Sequence, residues 1–104
     1  MKREDVYKLI DGERDYQDKK WNAETSRNFA QHSPEEWFTY IEDYVNEAKH
    51  ILSRESFVTA DSKAMDIMRK VAGMAVCAME QIETRPRGYE EVKSRINQSV
   101  EIGT

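Results

Sequence analysis

Between residues 37 and 52 the sequence "WFTYIEDYVNEAKHIL" sets Trp37, Tyr40, Ile41, Tyr44, Val45, Ala48, Ile51 and Leu52 on one face of an α-helix. A stripe that wide must be buried against something, so it dictates packed helices. A second stripe follows: Ala64, Ile67, Met68, Val71, Ala72, Ala75, Ala78, Met79 and Ile82, broadened by Met74, Val76 and Cys77. No segment alternates apolar and polar residues as a strand does, and only two prolines and four glycines interrupt 104 residues. The predicted fold is all-α, a single domain over residues 1–104. It is a small helical bundle built on two long antiparallel helices and completed by oligomerisation.

Local signals mark the helix ends. In "SPEEW", Ser33 can cap, Pro34 suits the first turn and Glu36 can close a capping box, so a helix starts there and runs to about residue 53. An earlier helix is expected over residues 4–19, with Val6, Leu9 and Ile10 facing inward and Gly12 weakening it slightly. The polar stretch "NAETSRNFAQH" joins these two, and "RESFVTAD" reads as the loop before the third helix, expected to be the most buried. "TRPRG" ends that helix, because the residue before proline disfavours helix and Gly88 permits a turn. A short last helix over residues 89–99 would present Val92 and Ile96 on one side.

Composition limits the partners. With 38% apolar and 35% charged residues the core of one chain is modest, which favours a homo-oligomer. A net charge of -4 argues against a nucleic-acid partner, since phosphate backbones call for a basic face. Cys77 is the single cysteine and has no neighbouring ligand pattern, so disulfide and zinc frameworks are not expected. No run of 18 apolar residues exists and "MKREDVYKLI" lacks a signal-peptide core, so a cytoplasmic protein without membrane contact is expected.

Two groups of polar residues stand out. In "ERDYQDKKW" the inward face of the first helix continues through Glu13 and Gln17 to Lys20 or Trp21, so the stripe turns polar. Buried there, a carboxylate and an amide each need a bonding partner, which is a protein group, water or ligand; otherwise the helix simply leaves the core after Gly12. In the second helix Glu36, Asp43 and Glu47 share a flank, with Tyr40 between them. Such carboxylates can hold Mg²⁺ for pyrophosphate chemistry or form a solvated acidic face. Lys63 and Lys70 would lie opposite that flank, where they can pair with the acids.

"ERDYQDKKW", "EWFTYIEDYVNEA" and "AMDIMRKVAGMAVCAMEQ" resemble segments of small phage-encoded proteins described as MazG-like, relatives of the all-α nucleoside triphosphate pyrophosphatases. The resemblance spans roughly residues 10–82. It implies a helical oligomer that uses Mg²⁺ to cleave a nucleotide to its monophosphate and pyrophosphate. The family holds its metal with an ExxE element, preceded by a further acid, on one helix and an ExxD element on the next. Here Glu42, Asp43 and Glu47 supply acids for the first element, with Asp43 and Glu47 one residue further apart than the family pattern. The second is replaced by "RKVAG", where Arg69, Lys70 and Gly73 stand around the acidic positions, Asp66 is the nearest carboxylate, and Glu80 follows nearly four turns later. Arginine and lysine suit direct pairing with phosphate better than they suit a metal cage.

Three functions follow as expectations. The first is a non-catalytic nucleotide-binding protein that sequesters a nucleotide or nucleotide-derived immune signal in the host cytoplasm, as a phage anti-defence sponge would. Its contacts would be Glu13 and Gln17 to base or ribose, Trp21, Tyr16 and Tyr89 for stacking, and Arg14, Arg69, Lys70, Arg85 and Arg87 for phosphate. It needs no cofactor. The second is a working nucleoside triphosphate pyrophosphohydrolase with Mg²⁺ on Glu36, Asp43, Glu47 and Asp66. The third is a helical adaptor that binds another protein.

Overall fold

The structure is a computed structural model that describes residues 1–21 and 31–89. Three helices, α1 (Arg3–Lys20), α2 (Pro34–Arg54) and α3 (Phe57–Gln81), make up the described fold, and no strand occurs among the described residues. The all-α expectation is met. Most of the polar link and all but the first residue of the expected last helix lie outside the described residues.

α2 begins as its sequence requires. Ser33, in extended backbone, accepts from the Glu36 amide through its hydroxyl at 3.2 Å, and the Glu36 carboxylate accepts from the Ser33 amide at 3.0 Å. This reciprocal box satisfies two amides that the first helical turn leaves without partners. α3 departs from expectation: it starts at Phe57, inside the segment read as a loop, so only Glu55 and Ser56 link it to α2. Its first turns continue the buried face through Ala60, Ala64 and Ile67, and that packing outweighs the weak helix preference of "FVT". Lys63 ties the link down by bonding Glu55 at 3.0 Å. After Gln81 the chain leaves the helix, and Gly88 turns it with a φ of +89°, as "TRPRG" implied.

α3 is the central element. Both α1 and α2 pack on it, and the backbones of α1 and α2 do not approach each other. It holds most of the buried apolar side chains, Ala60, Ala64, Ile67, Met74 and Cys77, and Trp37 of α2 joins Met74 and Cys77 to form the main cluster. Tyr40, Ile41, Tyr44 and Trp21 pack around that cluster. Met68 and Met79, expected inside, are about half exposed at 57% and 50%. The centre of the buried face is Met74 and Cys77, rotated from the stripe that simple counting selects.

α1 meets its expected pattern in its polar half, where Glu13 and Gln17 face inward, and departs from it in its apolar half. Val6 and Leu9 are exposed and Ile10 is half-buried, whereas Glu13, Arg14 and Gln17 are its buried residues. Gly73 is the reason. A Cβ there would sit 2.8 Å from Gln17 Nε2 and 2.8 Å from Glu13 Cγ, so the missing side chain opens the notch in which α1 seats its polar half. The apolar half extends past that contact, with Val6 and Leu9 exposed among the described residues.

Candidate functional site

Because α1 and α2 stand apart on α3, a cleft opens between them, about 690 Å³ in volume. Its floor is Met74, Cys77, Glu80 and Gln81 of α3; Arg14, Gln17 and Asp18 of α1, with the following Trp21, form one wall. Trp37, Tyr40, Asp43 and Tyr44 of α2, with the preceding Gln31 and His32, form the other. The lining is strongly aromatic. His32 meets Trp37 and Tyr40 edge-on with ring centres 5.4 and 5.1 Å apart, and Trp37 meets Tyr40 likewise at 6.4 Å. Gln81 locks this wall, its Oε1 accepting from the Trp37 indole N–H at 3.1 Å and from the His32 amide at 3.3 Å.

The polar side of the cleft is built from the buried residues of α1. Arg14 donates from Nε and Nη2 to both oxygens of Glu80, at 2.9 and 2.8 Å, and from Nη2 to Asp18 at 2.9 Å. The paired guanidinium holds the Glu80 carboxyl below its usual range, and Glu80 in turn raises the pKa of Arg14. Gln17 donates from Nε2 to the Lys70 carbonyl at 3.2 Å and to Glu13 at 3.3 Å. Both of those partners can only accept, which fixes the amide orientation and leaves its oxygen elsewhere. Gln17 Oε1 and Arg14 Nη1 are buried with no hydrogen-bond partner. The two side chains are only 2% and 8% exposed, so these orphaned atoms carry a real desolvation penalty.

Of the nucleotide contacts expected from sequence, Arg14, Gln17 and Trp21 line this cleft. Glu13 lies behind it, bonded to Gln17 and, at 3.0 Å, to Arg69, which also holds Asp66 at 3.2 Å. That pairing raises the Arg69 pKa. The Lys70 ammonium lies 5.8 Å from the centre of the Tyr44 ring, which itself lines the cleft. Tyr16 points outward beneath Lys20 at 6.0 Å. Arg85, Arg87 and Tyr89 line a separate shallow hollow over residues 83–89, where Arg85 stacks on Tyr89 at 5.0 Å.

The acids expected to hold Mg²⁺ are dispersed. Glu36 is committed to the α2 cap, where the Ser33 bonds lower its pKa, Asp66 to Arg69, Asp43 to the cleft wall, and Glu47 lies on the exposed face of α2. No group of three potential metal ligands occurs among the described residues.

Nothing in the sequence pattern marks His32, Tyr40, Tyr44, Cys77, Glu80 or Gln81 as ligand contacts. Trp37, Tyr40 and Tyr44 were legible as an apolar stripe, but nothing in their spacing showed that one edge of it faces an open cleft. Burial pushes the Cys77 thiol above its usual pKa, so it is a packing group and not an activated nucleophile. No protein-family model, curated protein or solved structure matches this chain.

Proposed function

We propose that this chain is a non-catalytic binding protein for a nucleotide or nucleotide-derived small molecule, held between α1 and α2. The observation that carries this is the pair of orphaned atoms, Arg14 Nη1 and Gln17 Oε1, beside an aromatic cleft. Such a pair costs folding stability, and a ligand that donates to one and accepts from the other returns that energy on binding. Trp21, Tyr40 and Tyr44 offer ring surface to a base. Lys70, near Tyr44, supplies positive charge for a phosphate outside the cleft.

The MazG-like resemblance belongs to the same proposal: a protein related to nucleotide pyrophosphatases that keeps a ligand and does not turn it over, in the cytoplasm of a phage-infected host. Retention without turnover amounts to sequestration, which fits an anti-defence sponge. An antiparallel pair of α2 and α3, doubled by a second copy, would complete the bundle. The engagement of Asp66 and Glu36 in other bonds favours binding over Mg²⁺-dependent hydrolysis.

The test is to incubate the protein with a nucleotide extract, remove unbound material, denature, and identify what is released by mass spectrometry. Intact nucleotide or a nucleotide derivative is expected. Monophosphate with pyrophosphate, appearing only with Mg²⁺, would establish the pyrophosphohydrolase instead; an empty protein would favour the adaptor.

A further inference from the structure

Resting on the nucleotide-binding proposal, we infer that the cleft takes its ligand base-first: it recognises the hydrogen-bonding edge of a neutral planar heterocycle and leaves the phosphate outside. The charges point that way. Asp18, Asp43 and Glu80 line the cleft against one guanidinium, Arg14, which is already bonded to two of those carboxylates. A phosphate brought among them meets three negative groups, and like charges repel.

The hydrogen-bonding vacancies agree. A phosphate dianion would satisfy Arg14 Nη1 but has no hydrogen to give Gln17 Oε1, so one orphan would remain. An aliphatic or aromatic hydrocarbon would satisfy neither. The edge of a nucleobase carries both donors and acceptors, one kind for each vacancy, and its faces match the aromatic walls. Both vacant atoms are out of reach of solvent, and Gln17 Oε1 lies at the Gly73 notch between α1 and α3, so a base meets it only as α1 shifts on α3.

The test titrates the full chain with adenosine, guanosine, cytidine and uridine and with their 5′-monophosphates, following tryptophan fluorescence, which Trp21 and Trp37 report. At least one nucleoside should bind, within about threefold of its monophosphate, since the phosphate adds only an exposed contact. Millimolar inorganic phosphate and pyrophosphate should not compete, and raising salt tenfold should change nucleoside affinity less than about threefold. Gln17→Ala should weaken that binding by about tenfold or more while the helical circular dichroism is kept. Binding of nucleotides without nucleosides, or competition by pyrophosphate, would overturn the base-first orientation while leaving nucleotide binding intact. Failure of both series would overturn the nucleotide proposal and this inference with it. Wild-type affinity in Gln17→Ala would remove the amide from the site and refute the assignment.

Discussion

At the scale of single residues, the two glycines of the helix bodies have opposite expected responses to alanine. Gly12 is exposed, and an added Cβ would touch nothing within 4 Å, so Gly12→Ala should stabilise the protein by about 0.4–1 kcal/mol through helix propensity and reduced freedom of the unfolded chain. At Gly73 the same methyl group meets Glu13 and Gln17 at 2.8 Å, and the Gln17 amide is pinned by its bonds to Lys70 and Glu13. Overpacking should outweigh the propensity gain, and Gly73→Ala should lose about 1–3 kcal/mol. Denaturant unfolding of both variants checks the pair; a stabilised Gly73→Ala would show that α1 rides loosely on α3. The Arg14 and Glu80 pair gives a pH signature. Glu80 titrates below its ordinary 4.5 in the folded protein, so its contribution is present above that pH and fades as pH falls through the lowered value. Wild type should therefore lose stability on acidification below about pH 5 more steeply than Glu80→Gln, as thermal melts from pH 3 to 7 would show.

At the scale of elements, α2 is anchored at its start by a bond between residues three apart, and its energetics are local. Ser33→Ala removes the hydroxyl that accepts from the Glu36 amide and should cost about 1 kcal/mol, read as a lowered denaturant midpoint with unchanged slope. α1 has no comparable device: Lys2, at its N-cap, makes no side-chain cap bond, and the helix is held mainly by Glu13, Arg14 and Gln17 on α3. Hydrogen exchange should accordingly show the amides of residues 3–9 opening more readily than those of residues 67–77, the part of α3 that both other helices cover. Uniform protection of all three helices would mean that the apolar half of α1 is covered in solution.

At the scale of the whole molecule, the apolar surface left outside is the dominant fact. Leu52, Phe57 and Val58 gather where α2 turns into α3, with Phe57 and Val58 more than four-fifths exposed, while no large side chain is fully buried among the described residues. Exposed apolar patches of this kind commonly mark interaction surfaces, and a second copy presenting the same surfaces is the proposed cover. Light scattering at micromolar concentration should give a multiple of the chain mass, and Phe57→Lys with Val58→Lys should reduce it. A wild-type monomer would end the oligomer proposal while leaving the cleft, which one chain forms unaided, untouched.

The sequence by itself determined the helices, because the forces that make them act over a few residues. The helix over the stripe from Trp37 to Leu52, the Ser33 and Glu36 box and the Gly88 turn each depend on neighbours within about one or two turns, and all three form as expected, although only Trp37 of that stripe is buried and Val45 and Leu52 stay exposed. It also determined that Glu13 and Gln17 continue the face of α1, but not whether that face is covered. Tertiary structure decided that. The Gly73 notch lies some 56 residues from Gln17 along the chain and exists only once α1 docks on α3. The same docking buries Glu13 and Gln17, leaves Val6 and Leu9 outside, and turns "FVT" from an expected loop into the first turn of α3, where the packing of Ala60, Ala64 and Ile67 prevails over local preference. The cleft is likewise a product of arrangement: its aromatic wall reads in sequence as ordinary core, and it is open because α1 and α2 each pack on α3 and not on one another.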